Sequence, residues 1–200
     1  MPRACQAERM ARARTWRGAR VYTIGHSTRP VEEFVALLAS AQIRSVVDVR
    51  TIPRSRTNPQ YNRDTLPTTL ATAGCGYLHI AELGGRRARD RAADPADNAY
   101  WENASFHNYA DYARGAPFRA GLAQLRDVGD RERCAIMCAE AVWWRCHRRI
   151  IADYLIAGGQ RVMHSLAPGK IATGEITPAA RAMPDGTLTY PRDDLLLGQR

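Results

Sequence analysis

Apolar and polar positions divide residues 20–166 into short apolar runs separated by stretches of helical period. RVYTIG (20–25), SVVDVR (45–50), GYLHI (76–80), ERCAIMC (132–138) and QRVMHSL (160–166) have strand length. They are near-continuous in apolar residues rather than strictly alternating, as strands covered on both faces of a parallel sheet tend to be. A helix is predicted to start near Pro30, with Glu32 and Glu33 where the positive helix end favours acids. Its Phe34, Leu37, Leu38 and Ala41 recur at core-facing spacing. Further helices are expected near 63–73, at 103–114, 117–127 and 146–157, the last with an apolar stripe of Ile150, Ile151, Tyr154 and Leu155 ended by Gly158 and Gly159. Polar loops fill 51–62 and 81–99.

Strands alternating with helices imply βαβ units. The expectation is a single-domain α/β fold: a mainly parallel sheet of about five strands flanked by helices, over 20–166. Residues 1–19 read as a basic flexible tail, and 167–200 as an irregular extension with a short helix near 176–182. No internal repeat or second domain is visible.

Charge changes this picture little. The net charge is +9, but residues 1–20 hold six arginines against one acid, Glu8, so the tail carries more than half of it. Such an arm can bind a phosphate backbone by counterion release, although a solvated tail is the preferred reading, since charge alone says little about partners. Lys170 is the single lysine among 29 basic residues. No apolar run approaches the ~18 residues that span a bilayer, and the start has no apolar leader stretch, so the expected location is the cytoplasm and no membrane partner is expected. The 5 cysteines are odd in number, which argues against a disulfide framework.

Ligands of open parallel sheets bind outside the carboxyl ends of the strands. The chain delivers polar groups to that edge repeatedly: His26 and Ser27, Asp48 and Arg50, His79 and then Glu82, Cys138 and Glu140, and His164. The densest stretch is MCAEAVWWRCHRR (137–149). Cys138 is expected at a strand end, and Cys146, His147 and Arg148 at a helix start, whose positive potential lowers a thiol pKa and attracts anions. Strand, cysteine, loop and arginine-bearing helix is similar to the layout of rhodanese and Cys-phosphatase loops, without their glycines. Alternatively Cys138, Cys146 and His147 ligate zinc or iron, a set that borderline metals accept. Against this, neighbours on a helix point about 100° apart. A reversible Cys138–Cys146 disulfide is a further option. Trp143 and Trp144 offer stacking surfaces. Ser27 or Thr28 is expected to cap the next helix. Asp48 and Arg50 share a strand face as a ligand-facing pair or a structural salt bridge. Arg54, Arg56 and Arg63 follow in the polar loop.

At YTIGHST (22–28), VVDVRTIPRS (46–55), LGGRR (83–87), FHNYADYA (106–113) and MCAE…CHR (137–148) the chain resembles a bacterial and archaeal family, domain of unknown function 488 (DUF488). The resemblance runs from Tyr22 to Leu166. It implies an α/β fold and points to these same residues, and the family carries no established activity. AVWW between CAE and CHR departs from the more polar, often proline-containing stretch of relatives.

The expected function is an enzyme acting on a small anionic, phosphate- or nucleotide-like substrate. Cys138, Glu140 and His147 would be catalytic, and His26, Ser27, Asp48, Arg50, Arg54 and Arg148 would bind substrate. The alternatives are a nucleic-acid-associated module, with the arginine tail and tryptophans as its contacts, and a metal-dependent enzyme using Cys138, Cys146 and His147. Nothing in the pattern fixes an oligomeric state.

Overall fold

The computed structural model describes residues 21–192. The expected basic tail therefore lies outside the described residues, as do those after 192. The chain forms β1 (Val21–Gly25), α1 (Val31–Ser40), β2 (Ser45–Asp48), α2 (Leu66–Thr72), β3 (Gly76–His79), α3 (Ala104–Ala113), α4 (Ala116–Arg131), β4 (Cys134–Cys138), α5 (Arg148–Ala157), β5 (Val162–Ala167) and β6 (Lys170–Thr173). A two-stranded hairpin, β7 (Arg181–Ala182) and β8 (Leu188–Thr189), follows.

The fold is α/β with one mainly parallel, six-stranded sheet in the order β3-β2-β4-β1-β5-β6. The first five strands are parallel, and β6 is added antiparallel at the edge. Successive strand residues face opposite ways. Tyr22, Ile24, Val46 and Met137 pack under α1 and α2 through Phe34 and Leu70. Val21, Val47, Cys134 and Ile136 pack under α3, α4 and α5 through Tyr109, Leu122 and Ile151. Burial on both faces explains the continuous apolar runs.

The strand order fixes where a ligand can enter. The connection leaving β1 through α1 passes towards β2, whereas the one leaving β4 through α5 passes over β1 towards β5. Right-handed crossovers running in opposite directions lie on opposite faces. The neighbouring carboxyl ends of β1 and β4 are thus left uncovered as a switch-point crevice.

The five expected strands all form, and the edge strand β6 joins them where the chain turns at Gly169 (φ +69°) and returns. Two expectations are corrected. No helix forms near 176–182. Asp153 on α5 instead accepts the Thr177 N–H at 2.8 Å and the Tyr190 hydroxyl at 3.1 Å, drawing this segment onto the α5 face. Helix α5 starts at Arg148 rather than at 146, because Cys146 is extended (φ −133°, ψ 147°) and His147 is its first flanking residue.

Candidate active site

A cleft of 850 Å³ opens at the β1–β4 switch point. His26 and Ser27, Arg50, and Cys138 with Cys146 and His147 all line it, so residues from three separate strand ends meet there.

The β1 side is built by a close approach. A Cβ on Gly25 would fall 2.0 Å from the Glu140 carbonyl oxygen and 2.8 Å from the Ala141 Cα, so only glycine lets the 139–141 loop cross the strand end. The ladder continues past the strands, His26 N–H donating to Cys138 O and Ser27 N–H to Ala139 O, each at 3.0 Å. Ser27 adopts a left-handed conformation (φ +50°). Neither it nor Thr28 caps α1, which begins after Pro30 without a side-chain cap; Ser27 faces the cleft instead.

Asp48 and Arg50 form a structural pair. Asp48 is fully buried, with Arg50 Nη2 at 2.6 Å and the Tyr77 hydroxyl at 2.8 Å. Its oxygens are consumed and it does not line the cleft, which removes it from the expected substrate-binding set. Arg50 also donates to Tyr61 O at 2.6 Å and faces His26 Nε2 at 3.3 Å, presenting one edge to the cleft wall. His26 stacks on Tyr61 and donates from Nδ1 to Ser27 O at 2.8 Å, which leaves Nε2 as an acceptor for Arg50. Burial first, and then the Arg50 charge, hold its pKa down at about 4, so it is neutral near pH 7.

At the floor, the donor atoms of Cys138, Cys146 and His147 lie within 4.8 Å of one another. The His147 Nδ1 is 3.5 Å from Cys146 Sγ, and its Nε2 is 2.9 Å from Val49 O, to which it donates. Because Cys146 is extended rather than helical, the ~100° divergence of helical neighbours does not arise. LGGRR supplies the room: a Cβ on Gly85 would fall 2.4 Å from His147 Nδ1. The Tyr109 ring of FHNYADYA packs edge-on against His147, centroids 5.0 Å apart, and its hydroxyl holds Leu83 O at 2.8 Å.

Arg148 departs from expectation. It is 1% exposed and does not line the cleft. From below, its Nε donates to Cys146 Sγ at 3.3 Å and its Nη2 to Glu140 O, so it supports the loop rather than meeting a ligand. The two thiols influence each other's ionisation. Burial opposes ionisation of Cys146, but the Cys138 S–H, His147 and Arg148 together hold its pKa well below the usual thiol range. The hydrogen bond to Cys146, and then burial, push Cys138 up. The two sulfurs therefore titrate as one unit, and thiolate character belongs to the Cys138–Cys146 pair.

Glu140 and Arg54 are exposed residues of the cleft, Arg54 beside Asp64 at 3.9 Å. Sequence reading missed Arg86 and Arg145, both exposed and both on the cleft. Their signal was present in LGGRR and in WWRCHR. Other candidates are engaged elsewhere. His164 is buried, 2.8 Å from Thr23 Oγ1, and stacks on Trp143 at 3.8 Å. His79 donates to Arg50 O at 2.9 Å. One face of Trp143 is thus taken by His164, while Trp144 is 45% exposed.

Fold and cleft together define a doubly wound α/β protein with a thiol–imidazole centre at its switch point. The chain belongs to the family described as Domain of unknown function DUF488, whose model matches residues 30–155, more than half of its length. That span includes VVDVRTIPRS, LGGRR and CAE…CHR, whereas YTIGHST begins ahead of it. No curated protein and no solved structure matches the chain. No helix among the described residues is long and apolar enough to cross a membrane.

Proposed function

We propose that this protein is an enzyme acting on a small anionic substrate, phosphate-bearing or nucleotide-like, at the β1–β4 cleft. The observation that carries the reading is the shared location of two chemistries. Cationic Arg54, Arg86 and Arg145 line the same cleft as Cys138, Cys146, His147 and the carboxylate of Glu140. Neither Arg86 nor Arg145 has an acidic partner among the described residues. In a concave site such charges attract and orient an anion. Arg50 completes the wall, already fixed by Asp48. Glu140 is the group free to exchange a proton with bound substrate, and the Cys138, Cys146 and His147 centre is where reaction takes place. Free thiols at the centre suit a reducing, cytoplasmic setting.

Calorimetric titration with inorganic phosphate, pyrophosphate and a nucleoside monophosphate at low salt tests this reading. Saturable binding is expected, weakening with added salt and falling about tenfold or more in an Arg86→Ala/Arg145→Ala variant, a change of ~1.4 kcal/mol. Absence of binding by all three anions, or binding indifferent to both arginines, contradicts it. A single-stranded oligonucleotide that binds far more tightly than the mononucleotide, and loses that advantage without residues 1–20, would move the assignment to a nucleic-acid module.

A further inference from the structure

We propose that Cys138, Cys146 and His147 together bind one divalent metal ion of the zinc class, with its remaining coordination position open to the cleft. The inference deepens the reading above, since it places the ion at the reacting centre of the same cleft.

Geometry carries it first. Metal–sulfur and metal–nitrogen bonds of ~2.3 and ~2.0 Å at a tetrahedral angle put the two donor atoms about 3.5 Å apart. The His147 Nδ1 and Cys146 Sγ are 3.5 Å apart, and Cys138 Sγ completes a triangle whose atoms all lie within 4.8 Å. The orientation of the imidazole is the second observation. Its Nε2–H is held by Val49 O at 2.9 Å, so the tautomer leaves the Nδ1 lone pair directed at the thiols. A metal-bound histidine almost always has its other nitrogen fixed in this way. Third, this space is kept open by design of the chain: Gly85 lies where any side chain would displace Nδ1, and Tyr109 braces the ring.

The donor chemistry selects the ion. Two sulfurs and one nitrogen suit zinc-class ions and disfavour magnesium or calcium, which take oxygen ligands. Arg148 Nε, at 3.3 Å from Cys146 Sγ, offsets thiolate charge. Three protein ligands with one open position is the arrangement of catalytic rather than structural zinc. All three ligands line the cleft, so the open position faces it, and Glu140 lines the same cleft. A water on the open position would give its proton to the Glu140 carboxylate; the resulting hydroxide would form a new P–O bond to a substrate phosphate ester as the ester P–O bond breaks, and protonated Glu140 would return the proton to the departing alkoxide.

The test uses the full chain, reduced, stripped with a chelator and reloaded with Zn²⁺ or Co²⁺. One equivalent per chain is expected, with the intense thiolate-to-cobalt absorption of a tetrahedral site in the Co²⁺ form. Affinity should fall about tenfold or more in Cys138→Ser, Cys146→Ser and His147→Gln, but not in Cys134→Ala, whose thiol is buried in the core away from the cleft. Should a ligand variant fail to fold, the wild type alone decides. Zn²⁺ should protect Cys138 and Cys146 from alkylation, read by mass spectrometry. Sub-stoichiometric binding without the cobalt band, or no protection of these thiols, overturns the proposal. Phosphate titrations of the stripped and loaded protein separate the two readings. Anion binding without metal binding sinks only the metal site, and metal binding without anion binding sinks only the substrate assignment.

Discussion

Gly25→Ala tests how the cleft is assembled. An alanine Cβ would lie 2.0 Å from the Glu140 carbonyl oxygen, 2.6 Å from the Ala141 carbonyl oxygen and 2.8 Å from its Cα. Carbon–oxygen contacts settle at about 3.3 Å or more, so the loop must retreat by roughly 1.3 Å. The obstructing atoms are backbone and cannot rotate away. Retreat stretches the Ser27-to-Ala139 and Arg148-to-Glu140 hydrogen bonds. Overpacking accounts for about 2 kcal/mol, and each of the two weakened bonds for about 0.5 kcal/mol, giving roughly 3 kcal/mol in total. Gly74→Ala is the control. It has open space but a φ of +68°, so it bears only the left-handed penalty of about 1 kcal/mol. Urea unfolding followed by tryptophan fluorescence should place Gly25→Ala about 2 kcal/mol below the control, with the phosphate site lost or weakened. Equal stability of the two variants, with intact phosphate binding, would refute the reasoning.

Other consequences follow from the buried polar groups. Asp48→Ala leaves Arg50 charged and buried without its partner; urea unfolding should show a loss of about 3–5 kcal/mol, against about 1 kcal/mol for Tyr77→Phe. His26 and His164 are both held at about 4 by burial, so the fold favours their neutral forms. Their contribution is whole above the unfolded value of 6.5 and drains away as pH falls from there towards 4, by about 2 kcal/mol each. Asp153, pushed up to about 6 by burial, acts in the opposite direction: its protonation favours the fold as pH falls from about 6 towards 4. Urea midpoints measured from pH 7 to pH 4.5 should therefore decline less steeply in His164→Gln, and more steeply in Asp153→Asn, than in the wild type; parallel curves would contradict the assignment. Gly85→Ala, which presses on the His147 side chain rather than on backbone, should lower Co²⁺ affinity about tenfold while far-UV circular dichroism stays native.

Much of the scaffold was legible because burial on both sheet faces leaves its mark on the central strands β1, β2 and β4. Val46 and Val47 of SVVD and the whole of CAIMC are apolar for that reason. Strand β6 left no such mark, since KIAT is exposed at all four positions of a sheet edge. The expected helix at 176–182 followed from composition, whereas Asp153, more than twenty residues earlier in the chain, decides the fate of Thr177. The strand ends named the neighbourhood of the cleft, because topology sends them there. What each residue does in that neighbourhood depends on contacts across the fold. Arg148 and Arg145 look alike in WWRCHR, yet one is buried beneath Cys146 and the other lines the cleft. Gly25 and Gly85 are read correctly only once Glu140 and His147 stand beside them.

Anomalous diffraction at the zinc absorption edge, from crystals of the zinc-loaded full chain, probes the account most directly. A single strong peak is expected about 2.0–2.3 Å from Cys138 Sγ, Cys146 Sγ and His147 Nδ1, with its free side towards Arg54, Arg86 and Arg145. A peak at other residues, or electron density that separates the two sulfurs beyond mutual reach of one ion, would contradict it.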